Sequence, residues 1–405
     1  MITRNSQTTL QRLAHGFPVV AITGPRQSGK TTLAKATFPS KPYLSFEDPD
    51  VRALAEADPR RLLARYPDGA ILDEVQRVPE LFSYLQSHVD EHLQPGMFIL
   101  TGSQQFGLLS GISQSLAGRV GMVQLLPLAL SELSRAALLP VGVDELLCKG
   151  WYPALYDRNL TPADWFAGYV STYVERDLRQ LINVRDLSAF QRFLKMCAAR
   201  SGQLLNLSSL ANDCGITHNT AAAWISVLEA SYIVHLLRPH HRNFNKRLIK
   251  SPKLYFCDVG LAAWLLGIHK PEEVAFHAMR GSLFETMVVA EFLKRCWHDG
   301  KPSNLYFWRD SNGLEIDLVL EQGERLIPIE IKSGTTIASD FTDNLKKWQH
   351  LSGTTDQPAW LIHGGDQRFE AGTIQLLPWR DLGQVEQTFA DLLAVKETSN
   401  LQVNR

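Results

Sequence analysis

The sequence reads GPRQSGKT at residues 24–31, directly after the apolar run 18–22 and directly before the helix-forming stretch 32–36. This is the pattern G-x-x-x-x-G-K-[ST] between a predicted buried strand and a predicted helix, which is the setting that a phosphate-binding P-loop requires. Gly24 and Gly29 allow a tight turn whose N–H groups point at a polyphosphate, and the following helix adds the positive end of its dipole. The motif predicts an α/β fold with a nucleotide site; the alternative is a glycine-rich turn that binds nothing.

Two polar side chains of this motif, Lys30 and Thr31, have predicted tasks. Lys30 reaches the β- and γ-phosphates of a nucleotide, and the hydroxyl of Thr31 holds Mg²⁺. ATP and Mg²⁺ are therefore the expected ligands. The residues predicted to line the nucleotide are Gly24, Pro25, Arg26, Gln27, Ser28, Gly29, Lys30, Thr31 and Thr32.

A second apolar strand, within residues 69–76, ends in the carboxylates Asp73 and Glu74. It follows the P-loop at the distance along the chain that such a fold expects, so it is interpreted as a Walker B strand. Asp73 is predicted to hold Mg²⁺ through water, and Glu74 is predicted to polarise the attacking water as a general base. The alternative is a pair of acids that caps the next helix.

A third apolar strand, residues 97–104, ends in small polar residues. In an additional-strand ATPase this strand lies between the two that carry the Walker motifs, so Ser103 is predicted to sense the γ-phosphate. An ordinary strand-end turn is the alternative. Further on, Arg119 lies near a predicted helix end, and it is interpreted either as an arginine finger that reaches a neighbouring subunit or as a surface salt bridge.

From residue 186 to 237 the pattern changes to three short helices and a strand. Gly215 turns the chain between the second and third helices, and Thr217 is placed to cap the third. This succession predicts a winged helix-turn-helix, a fold that binds DNA in many proteins and serves as a packing lid in others.

A basic run follows the predicted helix-turn-helix, since residues 238–253 contain six Lys or Arg, two His and no acid. Such a run can neutralise several phosphates, and it favours nucleic-acid binding over a merely solvated loop. The residues predicted to contact nucleic acid are Arg238, His240, His241, Arg242, Lys246, Arg247 and Lys250.

The last third of the chain places acids on a predicted helix and on two predicted strands. Glu285 lies on the helix, Asp317 on one strand, and Glu330 and Lys332 share a face of the next strand because side chains alternate. Asp317 and Glu330 can share a divalent cation, Lys332 can orient an attacking water, and Glu285 can support a second ion. A buried polar network is the alternative.

Composition sets the remaining expectations. The 405 residues suggest two or three domains, and the net charge of −1 means that nucleic-acid affinity must come from local basic patches. The five cysteines form no C-x-x-C pair and are predicted to be reduced thiols. We expect no membrane span and no secretion signal, and hence a cytoplasmic protein. The predicted domains are residues 1–135, 136–184, 185–270 and 271–405.

Taken together, these segments resemble bacterial and archaeal AAA-type ATPases that carry a C-terminal domain of unknown function with a restriction-endonuclease-like core. The segments that carry the resemblance are residues 24–32, 72–76, 101–103, 116–119, 173–177, 258–261 and 307–332. Glu285, Asp317, Glu330 and Lys332 resemble the E, D and E-x-K positions of PD-(D/E)XK domains. The resemblance implies ATP binding by a P-loop NTPase with an AAA-type parallel sheet and, later in the chain, an α/β restriction-endonuclease-like domain. The winged helix-turn-helix predicted from the residues lies between the two.

The leading hypothesis is an ATP-hydrolysing protein that engages duplex or branched DNA as a homo-oligomer, with a hexamer among the expected forms. A second hypothesis is a nucleotide-gated regulatory or antitoxin-like binding protein. A third is an ATP-gated, metal-dependent DNA nuclease.

Overall fold

A computed structural model of the chain describes residues 2–92, 94–103, 112, 115–178, 186–241 and 248–384, with the backbone alone at 175–178, 339 and 384. The N-terminal part is a parallel five-stranded sheet with helices between its strands. Its elements are α1 (Ser6–Gly16), β1 (Val19–Thr23), α2 (Lys30–Thr37), β2 (Tyr43–Ser45), α3 (Pro49–Ala57), α4 (Pro59–Ala64), β3 (Ile71–Asp73), a 3₁₀ turn (Val75–Arg77), α5 (Leu81–His92), β4 (Phe98–Gly102) and β5 (Val120–Gln124).

The strand order of this sheet is β2-β3-β4-β1-β5, and every neighbouring pair is parallel. Strand β4 therefore lies between the strand that leads into the P-loop and the strand that ends in Asp73, as the sequence predicted. Strands β1 and β4 are buried along their whole length, which explains why they read as continuous apolar runs. Because all five strands are parallel, their carboxyl ends meet at one edge of the sheet.

The middle of the chain is mostly helical. Its elements are α6 (Leu130–Arg135), α7 (Val143–Lys149), α8 (Ala154–Asp157), α9 (Pro162–Tyr169), a π-helical segment (Val170–Leu178), α10 (Leu187–Ala198), α11 (Leu207–Cys214), α12 (His218–Ala230), β6 (Val234–Leu237), β7 (Lys253–Phe256), α13 (Val259–Leu265) and α14 (Pro271–Phe276). Strands β6 and β7 pair antiparallel. We call residues 186–256 the three-helix module.

The caps of the three-helix module follow from its sequence. The Asn206 side chain accepts a hydrogen bond from the Ser209 N–H at 3.0 Å and begins α11. Gly215 ends that helix with φ +68°, and Thr217 Oγ1 accepts from the Thr220 N–H at 3.1 Å to begin α12. The three predicted helices and the following strand are therefore present.

The C-terminal part is a mixed six-stranded sheet of order β12-β13-β11-β10-β9-β8. Its elements are α15 (Arg280–His298), β8 (Leu305–Arg309), β9 (Glu315–Gln322), β10 (Arg325–Lys332), a 3₁₀ turn (Ser339–Thr342), α16 (Asp343–Ser352), β11 (Ala359–His363), β12 (Phe369–Ala371), β13 (Ile374–Pro378) and a final 3₁₀ segment (Trp379–Gln384). One buried apolar cluster extends from Leu126 to Leu382, so the three-helix module and this sheet share a core.

The chain that leaves β6 does not form a separate wing over its described part. The His240 N–H donates to the Phe307 carbonyl at 2.7 Å, and the Phe307 N–H donates to the Arg238 carbonyl at 3.1 Å. Residues 238–240 therefore lie along β8, at the edge of the C-terminal sheet. This docking ties the start of the basic run to the C-terminal domain.

The described helices and the cysteines bear on two further expectations, that the chain has no membrane span and that its thiols are reduced. Among the described helices, none is both long enough and apolar enough to cross a bilayer. All five cysteines are free thiols, and four of them are buried, which agrees with the prediction of reduced core thiols.

Candidate nucleotide site and carboxylate cluster

The P-loop connects β1 to α2 at the carboxyl edge of the N-terminal sheet. Gly24 has φ +149°, and a Cβ on it would lie 2.1 Å from the carbonyl oxygen of Leu125. Gly29 has φ +95° and is the residue before the first turn of α2. Both glycines are required here because a side chain would either clash or be strained.

Lys30 begins α2 and lies inside the loop with 5% of its surface exposed. Its Nζ donates to the carbonyl oxygens of Pro25 at 2.8 Å and Gly24 at 3.1 Å. Burial lowers the pKa of Lys30 to about 8, although the charges of Glu74 and Asp73 act in the opposite direction. Among the described atoms, the buried Ser28 Oγ has no hydrogen-bond partner. A phosphate fits this loop because it would provide acceptors for both groups.

Asp73 ends β3 and faces the start of α2. Its Oδ1 accepts from Thr31 Oγ1 at 2.9 Å and from Thr101 Oγ1, and its Oδ2 accepts from the Tyr43 hydroxyl at 2.7 Å. Thr31 and Asp73 were predicted to hold Mg²⁺, and they lie in contact although 42 positions separate them. Hydroxyl and carboxylate oxygens suit Mg²⁺, which would neutralise charge on the phosphates.

Glu74 follows directly in a left-handed backbone conformation with φ +54°. Such a φ is a strained arrangement for a side chain of this type, and strain of this kind concentrates at functional sites. Glu74 Oε2 accepts from the Gln76 side chain and from Ser103 Oγ at 3.0 Å. Ser103, predicted as a sensor at the tip of β4, therefore lies against the predicted general base.

Arg119 forms the surface ion pair that was one of its two interpretations. Its Nη2 donates to Asp90 Oδ2 at 2.8 Å, and Nε donates to the other carboxylate oxygen. The Arg119 carbonyl accepts from the Val19 N–H, at the amino end of β1. Arg119 thus lies at the sheet edge opposite the P-loop, so it does not reach the nucleotide site of its own chain.

Three contacts at this site were missed by sequence reasoning. Thr101 and Tyr43 both donate to Asp73. The sequence could have predicted Thr101 at this site, because it is two positions before Ser103 and therefore on the same face of the strand. Arg4 donates through Nη1 to the Ser28 carbonyl at 2.7 Å and pairs with Glu132 at 3.0 Å. This buried arginine stabilises the P-loop backbone at Ser28, and it belongs to no recognised sequence motif. The side chains of Arg176 and Asp177, in one of the segments that carry the family resemblance, lie outside the described residues.

The predicted nucleic-acid contacts divide into three groups. Arg238, His241 and Lys250 are exposed. For His240 the prediction is corrected: its side chain is buried, it meets the ring of Tyr306 edge-on, and its Nε2 lies 3.4 Å from Glu321. It is covered because residues 238–240 lie along β8. The last group lies outside the described residues and comprises Arg242, Lys246 and Arg247.

The predicted PD-(D/E)XK residues come together in the C-terminal domain, on α15, β9 and β10. Lys332 Nζ donates to Glu330 Oε1 at 2.7 Å, and the Ile331 N–H donates to Asp317 Oδ2 at 2.9 Å. Burial, together with the charge of Asp317, raises the pKa of Glu285 to about 7 and that of Glu330 to about 8. We call Glu285, Glu315, Asp317 and Glu330 the carboxylate cluster.

A lysine that the motif did not predict lies inside this cluster. Lys253 of β7 is 3% exposed, and its Nζ lies 3.0 Å from Glu285 Oε1 and 3.9 Å from Asp317 Oδ1, in an ion pair with Glu315 as well. Within the part of the chain that the structure describes, no three His, Cys, Asp or Glu side chains converge as metal ligands. The Lys253 ammonium lies beside Glu285 and Asp317, two of the predicted metal ligands, so the residues present do not fit a divalent ion there.

Known families match three segments of the chain. A family described as an AAA domain matches residues 16–134, and two families described as domains of unknown function, DUF8612 and DUF4143, match residues 142–272 and 280–382. The uncharacterized proteins Rv2008c of Mycobacterium tuberculosis and Mb2031c of Mycobacterium bovis are each 34% identical over 336 residues, which is 82% of this chain and 74% of the relative. The chain belongs to their family of AAA-domain proteins.

Solved structures similar to this AAA-domain protein share little sequence with it. The Walker-type ATPase PABY2304 of Pyrococcus abyssi is 16% identical, with 65% of this chain and 96% of that chain covered and a TM-score of 0.46. AMPPCP-bound DnaA from Aquifex aeolicus is also 16% identical, with 55% and 85% covered and a TM-score of 0.29. The AAA-domain match and the order of the parallel strands identify residues 16–134 as a P-loop ATPase domain, a class that binds and hydrolyses ATP.

Proposed function

We propose that this protein hydrolyses ATP at the P-loop and uses the nucleotide state to control how its three-helix module engages DNA. The observation that carries the first part is the meeting of Thr31, Asp73, Glu74 and Ser103 at one edge of the sheet, beside Lys30. Lys30 would place its charge on the β- and γ-phosphates, and Thr31 and Asp73 would hold Mg²⁺.

Glu74 is the proposed general base. Its carboxylate would accept a proton from the water that attacks the γ-phosphorus, with ADP as the leaving group. The hydrogen bonds from Gln76 and Ser103 orient this carboxylate, because both end on the same oxygen, Oε2, and leave Oε1 for the water.

Two substitutions test the ATPase proposal. Lys30→Ala should abolish nucleotide binding, whereas Glu74→Gln should retain it and lower the turnover rate by roughly 10²- to 10⁴-fold, the usual contribution of a general base. The readouts are binding of a fluorescent ATP analogue and release of phosphate. Glu80→Gln changes an exposed acid nearby and should match the wild type. Wild-type turnover in either active-site variant would contradict the proposal.

The second part, DNA engagement, is supported by the exposed start of α12. His218 and Asn219 are exposed there, and the first turn of the helix carries no acid. In helix-turn-helix proteins the amino-terminal end of the second helix of the motif, which corresponds to α12 here, contacts base edges. His218 and Ser226 line a groove together with Glu229 and the exposed Arg238. Polar side chains of α12 therefore face the same space as a cation that could neutralise a phosphate.

A binding panel tests the DNA part. Duplex, single-stranded and four-way DNA would be titrated at two salt concentrations, with and without a slowly hydrolysed ATP analogue. We expect binding that weakens with salt and changes with the nucleotide, and we expect DNA to alter the rate of ATP turnover. Binding to none of the substrates at low salt would contradict DNA engagement. DNA binding without any effect on turnover would favour the nucleotide-gated regulatory alternative.

A further inference from the structure

We propose that Lys253 is a built-in cation of the carboxylate cluster and, by pairing with Glu285 and Glu315 beside Asp317, keeps Asp317 from holding the divalent metal predicted for it. Its ammonium group lies among carboxylates from two elements, Glu285 on α15 and Glu315 and Asp317 on β9. Ionised carboxylates removed from water are stabilised by pairing with a cation, and this lysine provides one from within the chain.

The charges around the cluster support this assignment. Glu285, Glu315, Asp317 and Glu330 would carry four negative charges when ionised. Three cations face them: Lys253, Lys332 at 2.7 Å from Glu330, and Arg309 at 2.9 Å from Glu315. A divalent ion added to these cations would be repelled by Lys253 at close range.

Lys253 is also fixed by its backbone. It pairs with Leu237 in the β6–β7 ladder and forms a further bridge with Leu204. A withdrawal of the ammonium group from the cluster would leave buried carboxylates without their partner, which is costly. The cluster thus joins the three-helix module to the C-terminal domain through an internal ion pair.

Mn²⁺ binding to the nucleotide-free protein, measured by electron paramagnetic resonance, tests this proposal. We expect the wild type and the Asp317→Asn variant to bind the same amount of Mn²⁺. Lys253→Met should gain one equivalent of bound Mn²⁺, and adding Asp317→Asn should remove it. Lys301→Met, at an exposed lysine, should behave as the wild type.

If Lys253→Met is too unstable to titrate, its thermal midpoint becomes the readout. Mn²⁺ should raise the midpoint of this variant and leave that of the wild type unchanged, because only a state that binds the ion is stabilised by it. A wild-type Mn²⁺ site that Asp317→Asn removes, or a Lys253→Met variant that gains neither binding nor stability from Mn²⁺, would overturn the proposal.

A separate observation concerns Tyr232, in the turn between α12 and β6. Its hydroxyl lies 2.7 Å from Thr23 Oγ1 and 3.4 Å from Gln124 Nε2. Thr23 and Gln124 are the paired last residues of β1 and β5, and Gly24 of the P-loop follows Thr23. We infer that Tyr232 is the positioning residue through which nucleotide binding affects the three-helix module. This inference rests on the proposed nucleotide function.

The backbone around Tyr232 gives the contact a rigid route to α12. Tyr232 is 2% exposed and has φ +59°, a strained value for an aromatic residue. Its N–H donates to the Glu229 carbonyl at 3.0 Å, and the next N–H, of Ile233, donates to Leu228 at 2.9 Å. A shift of Thr23 would therefore move Tyr232 and, through these backbone hydrogen bonds, the end of α12.

Hydrogen exchange with and without ADP tests this inference. In the wild type, ADP should change the exchange of residues 218–237. Tyr232→Phe and Thr23→Val should lose that change while ADP affinity stays close to the wild-type value. Tyr66→Phe, a tyrosine of the same sheet domain, is the control and should retain it.

Persistence of the change in Tyr232→Phe would overturn the inference, as would its absence from a wild type that binds ADP. A wild type that binds no ADP would instead defeat the nucleotide function and, with it, this inference. Affinity measured on the same samples separates the two failures.

Discussion

Burial is the largest influence on the pKa of Lys30, the residue that we propose binds phosphate. Its pKa is lowered to about 8 by desolvation, so above that value the amine of the nucleotide-free protein is mostly neutral. A phosphate binds the protonated form. We expect nucleotide affinity to fall as the pH rises from about 8 to 9, by up to tenfold per unit, and binding there to take up a proton. Titration calorimetry in two buffers of different ionisation enthalpy would measure that uptake; affinity and uptake that are independent of pH would contradict it.

Stability should follow the opposite trend at this residue. The unfolded chain keeps Lys30 protonated up to its ordinary value of 10.5, so the unfolded state binds the extra proton between about 8 and 10.5. The Lys30 contribution to the free energy of unfolding therefore rises with pH across that window and is least favourable below it.

Gly24 is the residue at which the P-loop tolerates least change. Gly24→Ala would place a Cβ 2.1 Å from the Leu125 carbonyl in a backbone conformation with φ +149°. We expect loss of nucleotide binding and destabilisation by roughly 2–5 kcal/mol, since the strand end must move. Gly16→Ala is the matched control, because a Cβ at Gly16 meets nothing within 4 Å. Equal urea midpoints for the two variants would contradict this expectation.

At the scale of elements, α15 joins the N-terminal part to the C-terminal sheet through buried polar groups. Glu291 Oε2 accepts from the Leu130 N–H at 2.9 Å, and Lys294 Nζ donates to the Leu128 carbonyl at 2.8 Å and to Glu291. Lys294 also lies 3.3 Å from the ring centroid of Trp151. The helix is thus held by a buried ion pair, of which Glu291 also binds the first residue of α6 and Lys294 also binds the segment before it.

Breaking this pair from one side should cost more than neutralising both members. Lys294→Met leaves the Glu291 charge buried and should destabilise by about 3–5 kcal/mol. Adding Glu291→Gln removes that charge and keeps an acceptor for the Leu130 N–H, so the double variant should recover part of the loss. Thermal unfolding of the two single variants and the double variant measures the coupling. A double variant whose loss equals the sum of the single losses would contradict it.

At the scale of the molecule, the overall charge of −1 gives no general attraction to DNA. Any affinity must come from the local cations, and each phosphate contact adds about one to the slope of log affinity against log salt. Arg238→Ala and Lys250→Ala should each lower that slope by about 1. Lys301→Ala, at an exposed lysine beside Asp299, should leave it unchanged. If neither Arg238→Ala nor Lys250→Ala alters the slope, these two residues do not contact DNA phosphates and this prediction is wrong.

Local patterns predicted much of the N-terminal third of the fold. The P-loop and the Walker B strand follow from apolar runs and from glycines that a tight loop needs, whereas the position of β4 between them was predicted from the arrangement of additional-strand ATPases. The start of α12 could be predicted for the same reason, because Gly215 and Thr217 act on their own helix ends. Such features depend on neighbours a few positions away, so the sequence displays them directly.

The residues of the candidate nucleotide site could be predicted from the sequence, because phosphate and Mg²⁺ binding requires particular residue types at set spacings. Four contacts could be found only from the packing of the folded chain. Lys253 pairs with Glu285 of the carboxylate cluster, and Tyr232 contacts Thr23. Arg119 pairs with Asp90, and His240 is buried. These contacts join residues whose separation along the chain obeys no rule, 209 positions for Tyr232 and Thr23. Which side chains meet across two packed surfaces depends on how those surfaces dock, and no local pattern carries that information.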